Sequence, residues 1–310
     1  MDKQTHASRD AACDFSRRQF MAAALAGAGV AATPSALKAE RAVGSSPATQ
    51  IVSLGHTGIK ASRLAQGTGW NGSARSSAHT RLGEKAFNEL IRHSIDRGIA
   101  FVDAADLYGS HPYLRKALAD VPRDKYIVLS KIWPRSEFWN SASGGARAEV
   151  DRFRKELRSD VIDICLIHCM RDSNWPEEHK RIRDELSGLK DEGAVRAVGV
   201  SCHDFGALKV ACTHPWTDVV LARINNVGKA AAMDASVEEV APVLKQARAN
   251  GKTIIGMKIF GAGRLTQPQQ KDTSLKYVWE NGLVDAVTIG MLYPSEVDDT
   301  IERMNKVLKA

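Results

Sequence analysis

The chain is poor in the features that mark several large classes of protein. No apolar run among its 310 residues approaches the roughly 20 needed to cross a bilayer, and the most apolar stretch, Ala22 to Ala32, is about half that length. There is no block of basic residues. Lys and Arg number 43 against 36 Asp and Glu, and the resulting +7 is spread along the chain. Such a balance is too weak for a nucleic-acid partner and suits at most a phosphate-bearing small ligand. Cysteine is sparse, with five residues, of which Cys13 lies near the start and Cys165, Cys169, Cys202 and Cys212 lie in the body of the chain. Three of those four fall at or near the ends of apolar runs, where thiols behave as small hydrophobes, so free thiols are expected rather than bridges. No Gly-x-Gly-x-x-Gly follows the first apolar run of the body, which argues against a doubly wound dinucleotide fold. With 44% hydrophobic and 25% charged residues, and a mean hydropathy of -0.26, the composition excludes disorder and multi-span membrane proteins.

What is present begins with a leader. Ser16-Arg17-Arg18-Gln19-Phe20-Met21, the mildly apolar run that follows, and then Thr33-Pro34-Ser35-Ala36 resemble a twin-arginine (Tat) export signal. The resemblance implies recognition by the Tat machinery, a signal peptide over residues 1–39, a linker over 40–49 and an exported, periplasmic domain over 50–310, with no stable membrane span.

Within that domain a hairpin-like start, Ile51 to Leu54 with a turn at Gly55 to Gly58, precedes a regular alternation. Short apolar runs are read at Leu64 to Gly67, Ile99 to Asp103, Tyr126 to Lys131, Ile162 to His168, Val195 to Ser201, Val219 to Ile224, Thr253 to Lys258 and Ala286 to Ile289. Longer amphipathic segments separate them: Leu82 to Arg97, Pro112 to Ala119, Ala146 to Arg158, Glu177 to Glu192, Phe205 to Thr213, Val237 to Asn250, Thr273 to Asn281 and Glu296 to Leu308. Parallel strands covered on both faces read as continuous apolar runs, so eight such units predict a (β/α)8 barrel, a TIM barrel behind a short N-terminal β-hairpin. In that architecture chemistry belongs at the carboxyl ends of the strands.

Those ends carry Gly67-Thr68, Asp103 with Tyr108 in the next loop, Lys131, His168, Ser201-Cys202-His203 and Lys258. Asp103 and Lys131 each terminate a run that is otherwise buried, where an unpaired charge is costly, so they are expected to face one another. A tyrosine beside that pair is a proton donor whose pKa the ammonium is expected to lower from about 10. A neutral His168 can orient a carbonyl oxygen. Asp103, Tyr108, Lys131 and His168 together supply what carbonyl reduction requires if another molecule brings hydride.

The segments Leu54-Gly55-His56-Thr57-Gly58-Ile59-Lys60-Ala61-Ser62-Arg63-Leu64 and Gly98-Ile99-Ala100-Phe101-Val102-Asp103-Ala104-Ala105-Asp106-Leu107-Tyr108-Gly109 resemble the aldo-keto reductases. The similarity runs from the hairpin to the last helix and thins after residue 202. It implies an oxidoreductase that reduces an aldehyde or ketone with NADPH or NADH and without metal, Tyr108 acting as general acid, Lys131 and Asp103 tuning it, and His168 orienting the substrate. On the cofactor side it implies Thr68, Asp103, Ser201, Gly261, Gly263 and Ser295. Gly261 and Gly263 would let backbone N–H groups approach a pyrophosphate, and Ser295 would cap the last helix beside it. The chain departs from the family pattern at Cys202 and Thr300, each where asparagine is usual, and at Met257-Lys258-Ile259, where a stacking tyrosine is usual and Phe260 is the nearest aromatic. No arginine lies between Gly290 and Glu296, so the sequence expresses no preference between NADP and NAD.

Two other readings are open to the same residues. His168, Cys169, Cys202 and His203 offer zinc-type ligands for a metal-dependent hydrolase, and the departures at Cys202, Lys258 and Thr300 suit a barrel that binds a ligand without catalysis. Both leave an intact tetrad unused. Trp70, Trp133, Trp139 and Trp175 are candidates for the substrate pocket.

Overall fold

The computed structural model describes residues 46–135 and 145–309; the leader and Trp139 lie outside them. Two short strands, β1 (Ile51–Ser53) and β2 (Lys60–Ser62), pair antiparallel. The eight apolar runs become β3 (Leu64–Gly67), β4 (Phe101–Asp103), β5 (Ile127–Ile132), β6 (Ile162–Met170), β7 (Val195–Cys202), β8 (Val219–Arg223), β9 (Thr253–Met257) and β10 (Ala286–Ile289). They pair in parallel in sequence order, and β10 closes on β3. The result is the expected barrel.

Its interior is filled by inward-facing side chains such as Ala65, Phe101, Leu129, Ile164 and Leu166, and the hairpin contributes Leu54, Ile59 and Ala61 to the same cluster. Outward-facing residues of the same strands pack on the helices of the described residues: α1 (Glu84–Asp96), α2 (His111–Ala117), α3 (Ala146–Leu157), α4 (Trp175–Glu178), α5 (Lys180–Asp191), α6 (Phe205–Thr213), α7 (Val237–Ala249), α8 (Pro268–Glu280) and α9 (Pro294–Lys309). Burial on both faces is why the strands lack polar alternation.

Most helix ends shift by one or two residues from the sequence reading, and three helices differ in a way that has a local cause. The segment expected as one helix over Glu177 to Glu192 divides into α4 and α5 at His179, whose backbone leaves helical values (φ -110°, ψ 26°). Helix α8 starts five residues before Thr273, because Pro268 suits the first helical turn and Gln267 and Gln270 cap it reciprocally. Helix α9 starts at Pro294, so Ser295 stands inside its first turn instead of capping it. Cys165, Cys169, Cys202 and Cys212 are buried and free, as expected.

Candidate active site

The carboxyl ends of β4, β5 and β6 deliver Asp103, Lys131 and His168 to one mouth, and a 3-10 turn at Asp106–Tyr108 returns Tyr108 over them. Lys131 is fully buried. Its ammonium donates to the Asp103 carboxylate, to the Ala104 carbonyl at 2.9 Å and to the Tyr108 hydroxyl at 3.4 Å. The other Asp103 oxygen accepts from the Thr288 hydroxyl at 2.9 Å. Tyr108 Oη lies 3.5 Å from His168 Nε2. The four predicted residues therefore form one connected group.

The loop after β3 fixes the phenol. A Cβ on Gly69 would lie 2.2 Å from the Tyr108 ring, so only glycine lets the backbone pack on that face. His168 is wedged edge-on between the rings of Tyr108 and Trp133, at centroid distances of 5.5 and 5.4 Å.

Electrostatics follow from burial. Desolvation holds the His168 pKa well below 6.5, and the cations Lys131, Lys258 and Arg135, with His203, push the same way. The imidazole is neutral, and its buried Nδ1 has no hydrogen-bond partner among the described residues. The phenol departs from the sequence reading. Burial, then the charge on Asp103, raises the Tyr108 pKa well above 10.0 instead of lowering it. Asp103 contacts the ammonium more closely than Tyr108 does, so the lysine charge is already balanced when the phenol meets it.

A cavity of about 400 Å³ opens on Asp103 and Tyr108 and runs past Lys258, Phe260 and Gly263 to Gly290 and Thr300. Of the residues expected on the cofactor side, Asp103 and Gly263 line it. Thr68 is buried and stands off the wall, its hydroxyl bonded to Asp103 O at 2.8 Å and to Ser110 at 2.9 Å. Ser201 is likewise buried off the wall, accepting the Cys169 N–H at 2.7 Å. Gly261 is buried within the turn after β9, its N–H bonded to Lys258 O, and the Gly263 N–H is bonded to Phe260 O. Ser295 is exposed and outside the lining.

Trp70 lines the cavity, whereas Trp175 is core, packed against Trp216 and His214. Thr288 escaped the sequence reading: it is the lone hydroxyl in Ala-Val-Thr-Ile, and only the closure of β10 on β3 brings it to Asp103. Lys271, from α8, also lines the cavity, and nothing local in the sequence marks it. Cys169, His168, Cys202 and His203 do not converge: among the described residues no group of three or more His, Cys, Asp or Glu could hold a metal ion. Nor is any helix among them long and apolar enough to cross a membrane.

Residues 64–309 match the model of the Aldo/keto reductase family. The aldo-keto reductase YhdN of Bacillus subtilis is 31% identical over 163 residues, covering 49% of this chain and 46% of that one, so the chain aligns with about half the length of that relative. The 6-dehydroglucose reductase of Novosphingobium aromaticivorans is 30% identical over 238 residues, covering 70% of each chain. Among solved structures, the aldo-keto reductase AKR11C1 of Bacillus halodurans superposes with a TM-score of 0.65 at 16% identity, over 84% of this chain and 95% of that one; at that identity the likeness concerns the fold.

Proposed function

This chain belongs to the aldo/keto reductase family and is an oxidoreductase acting on carbonyl compounds, and we propose that it reduces an aldehyde or ketone with Tyr108 as proton donor and NADPH or NADH as hydride source. The observation that carries the reading is the convergence of Tyr108, Lys131, Asp103 and His168 beside the cavity of about 400 Å³ that Asp103 and Tyr108 line.

The cavity wall fits an extended dinucleotide. Gly263 lies in it at φ +85°, and a Cβ there would meet only Trp70, at 3.9 Å, so the chain presents bare backbone where a bulky ligand would pass. Gly263, Phe260 and Thr300 would hold the dinucleotide, which when bound supplies hydride to the carbonyl carbon.

The chain's own groups act on the carbonyl oxygen. His168 is neutral, so its Nε2 can meet that oxygen without adding a charge that would have to be desolvated. Tyr108, 3.5 Å away, holds its proton firmly. An alkoxide is more basic than a phenolate, so a tightly held phenol proton is still transferred once negative charge develops on the oxygen. Lys131 then stabilises the phenolate, and Asp103 keeps the ammonium charged and in place.

Replacing Tyr108 by Phe keeps the ring packed on Gly69 and removes the acid. The expected result is loss of carbonyl reduction by about 10²-fold or more, with NADPH and NADH affinity retained in fluorescence titration. Full activity in Tyr108→Phe would refute the assignment. We also propose export of the folded enzyme through its twin-arginine leader, on the strength of Ser16-Arg17-Arg18-Gln19-Phe20 and the neutral run that follows.

A further inference from the structure

Lys258 follows β9 at the mouth of the barrel with φ +60°, a backbone conformation that side chains other than glycine rarely adopt. The turn is held from within and from outside: the Lys258 carbonyl accepts from the Gly261 N–H of the same turn at 2.8 Å and from Asn225 Nδ2 at 3.2 Å. It makes Lys258 part of the wall of the cavity that Tyr108 and Asp103 share. A strained, specifically held backbone at a site points to a use for the side chain it aims.

Several other charges around the cavity have partners; Lys271 is an exception, lying over the Phe260 ring at 5.5 Å from its centroid. Lys131 is paired with Asp103. Arg223, at the end of β8, is paired with Asp234 at 3.0 Å and bonded to His203. Glu296 accepts the Leu292 N–H at 2.6 Å, and Asp299 is held by Arg303 at 2.8 Å. Lys258 has no carboxylate within 4.0 Å among the described residues. Burial, then the neighbouring cation Arg223, weakens its hold on a proton; Asp103 opposes them, and Lys131 and Arg264 add to the weakening. A half-buried ammonium in cationic surroundings is costly without a counter-charge, and the open side faces the cavity.

We propose that Lys258 is an oxyanion-binding residue of this site, which takes a carboxylate or phosphate group carried by the carbonyl substrate or by the dinucleotide. This deepens the reductase reading and rests on it for what the oxyanion is attached to. A neutral carbonyl compound would leave Lys258 unmatched, whereas an acidic one would be drawn in with its carbonyl toward Tyr108.

The test compares the wild type with Lys258→Met and Lys258→Arg, using 4-formylbenzoate and its methyl ester as substrates of nearly equal shape. If the substrate brings the anion, the acid-to-ester ratio of kcat/KM falls about tenfold to a hundredfold in Lys258→Met and is restored in Lys258→Arg. If the dinucleotide brings it, the ratio holds while the Kd values for NADPH and NADH rise by a similar factor. Unchanged ratio and unchanged Kd values would overturn the proposal. Calorimetric titration of 4-(hydroxymethyl)benzoate, the alcohol product, without oxidised dinucleotide serves as a readout independent of turnover. Should the wild type reduce neither aldehyde, the reductase reading fails, and tighter binding of this acid to the wild type than to Lys258→Met still decides whether the anion site exists.

Discussion

Thr68 and Asp103 are tied together twice: the Thr68 N–H and the Thr68 hydroxyl both donate to the Asp103 carbonyl, at 3.0 and 2.8 Å. Together with the bond to Ser110, this makes Thr68 a brace between β3 and the strand end that carries the Asp103 carboxylate. Thr68→Val keeps the shape and removes the hydroxyl, leaving the buried Ser110 oxygen short of a partner. The expected loss is about 1–2 kcal/mol of stability by urea unfolding, with the dinucleotide Kd unchanged. A large rise in that Kd with stability intact would return Thr68 to the cofactor site.

The contrast between Thr68 and Tyr108 shows what the sequence could reveal. Strands buried on both faces announce themselves as apolar runs, and a charge that ends such a run is conspicuous, so the barrel and the Asp103–Lys131 pair were legible residue by residue. A hydroxyl at a strand end is ambiguous. Thr68 and Ser201 read as ligand-binding groups, and in the fold both hydroxyls bond backbone groups of the neighbouring strands β4 and β6. Thr288 carries no local signal in the sequence and bonds the Asp103 carboxylate, a contact between residues 185 apart in sequence. The direction of the Tyr108 shift was also out of reach, since it depends first on how deeply the phenol is buried and then on the Asp103 charge beside the Lys131 ammonium. The start of α8 was hidden because Pro268 reads locally as a break, whereas at a first helical turn it is compatible with helix.

The leader makes a prediction independent of the barrel. If export depends on Arg17 and Arg18, the double substitution Arg17→Lys and Arg18→Lys leaves the protein in the cytoplasm of a Tat-competent host, whereas the wild type reaches the periplasm with its leader removed. Fractionation and immunoblotting distinguish the two. Equal periplasmic yields from both forms would remove the proposed route without touching the catalytic reading.

The pH dependence of turnover follows from the two directions of shift. Reduction needs Tyr108 protonated and His168 neutral. Tyr108 keeps its proton at every pH below a pKa that burial and Asp103 raise above 10.0; His168 loses its proton at every pH above a value that burial and the surrounding cations push below 6.5. Both conditions hold together between those bounds, so kcat/KM for reduction should be level from about pH 6.5 to 10. Oxidation of the corresponding alcohol needs the phenolate, and its rate should climb with pH across the same interval, because deprotonated Tyr108 grows tenfold per unit while it remains the minor form. The two profiles, recorded on one preparation, check each other: a reduction limb with a midpoint near 7 would mean that His168 or Tyr108 titrates in the opposite sense from its surroundings, and the proton path from Tyr108 to the carbonyl oxygen would then have to be abandoned.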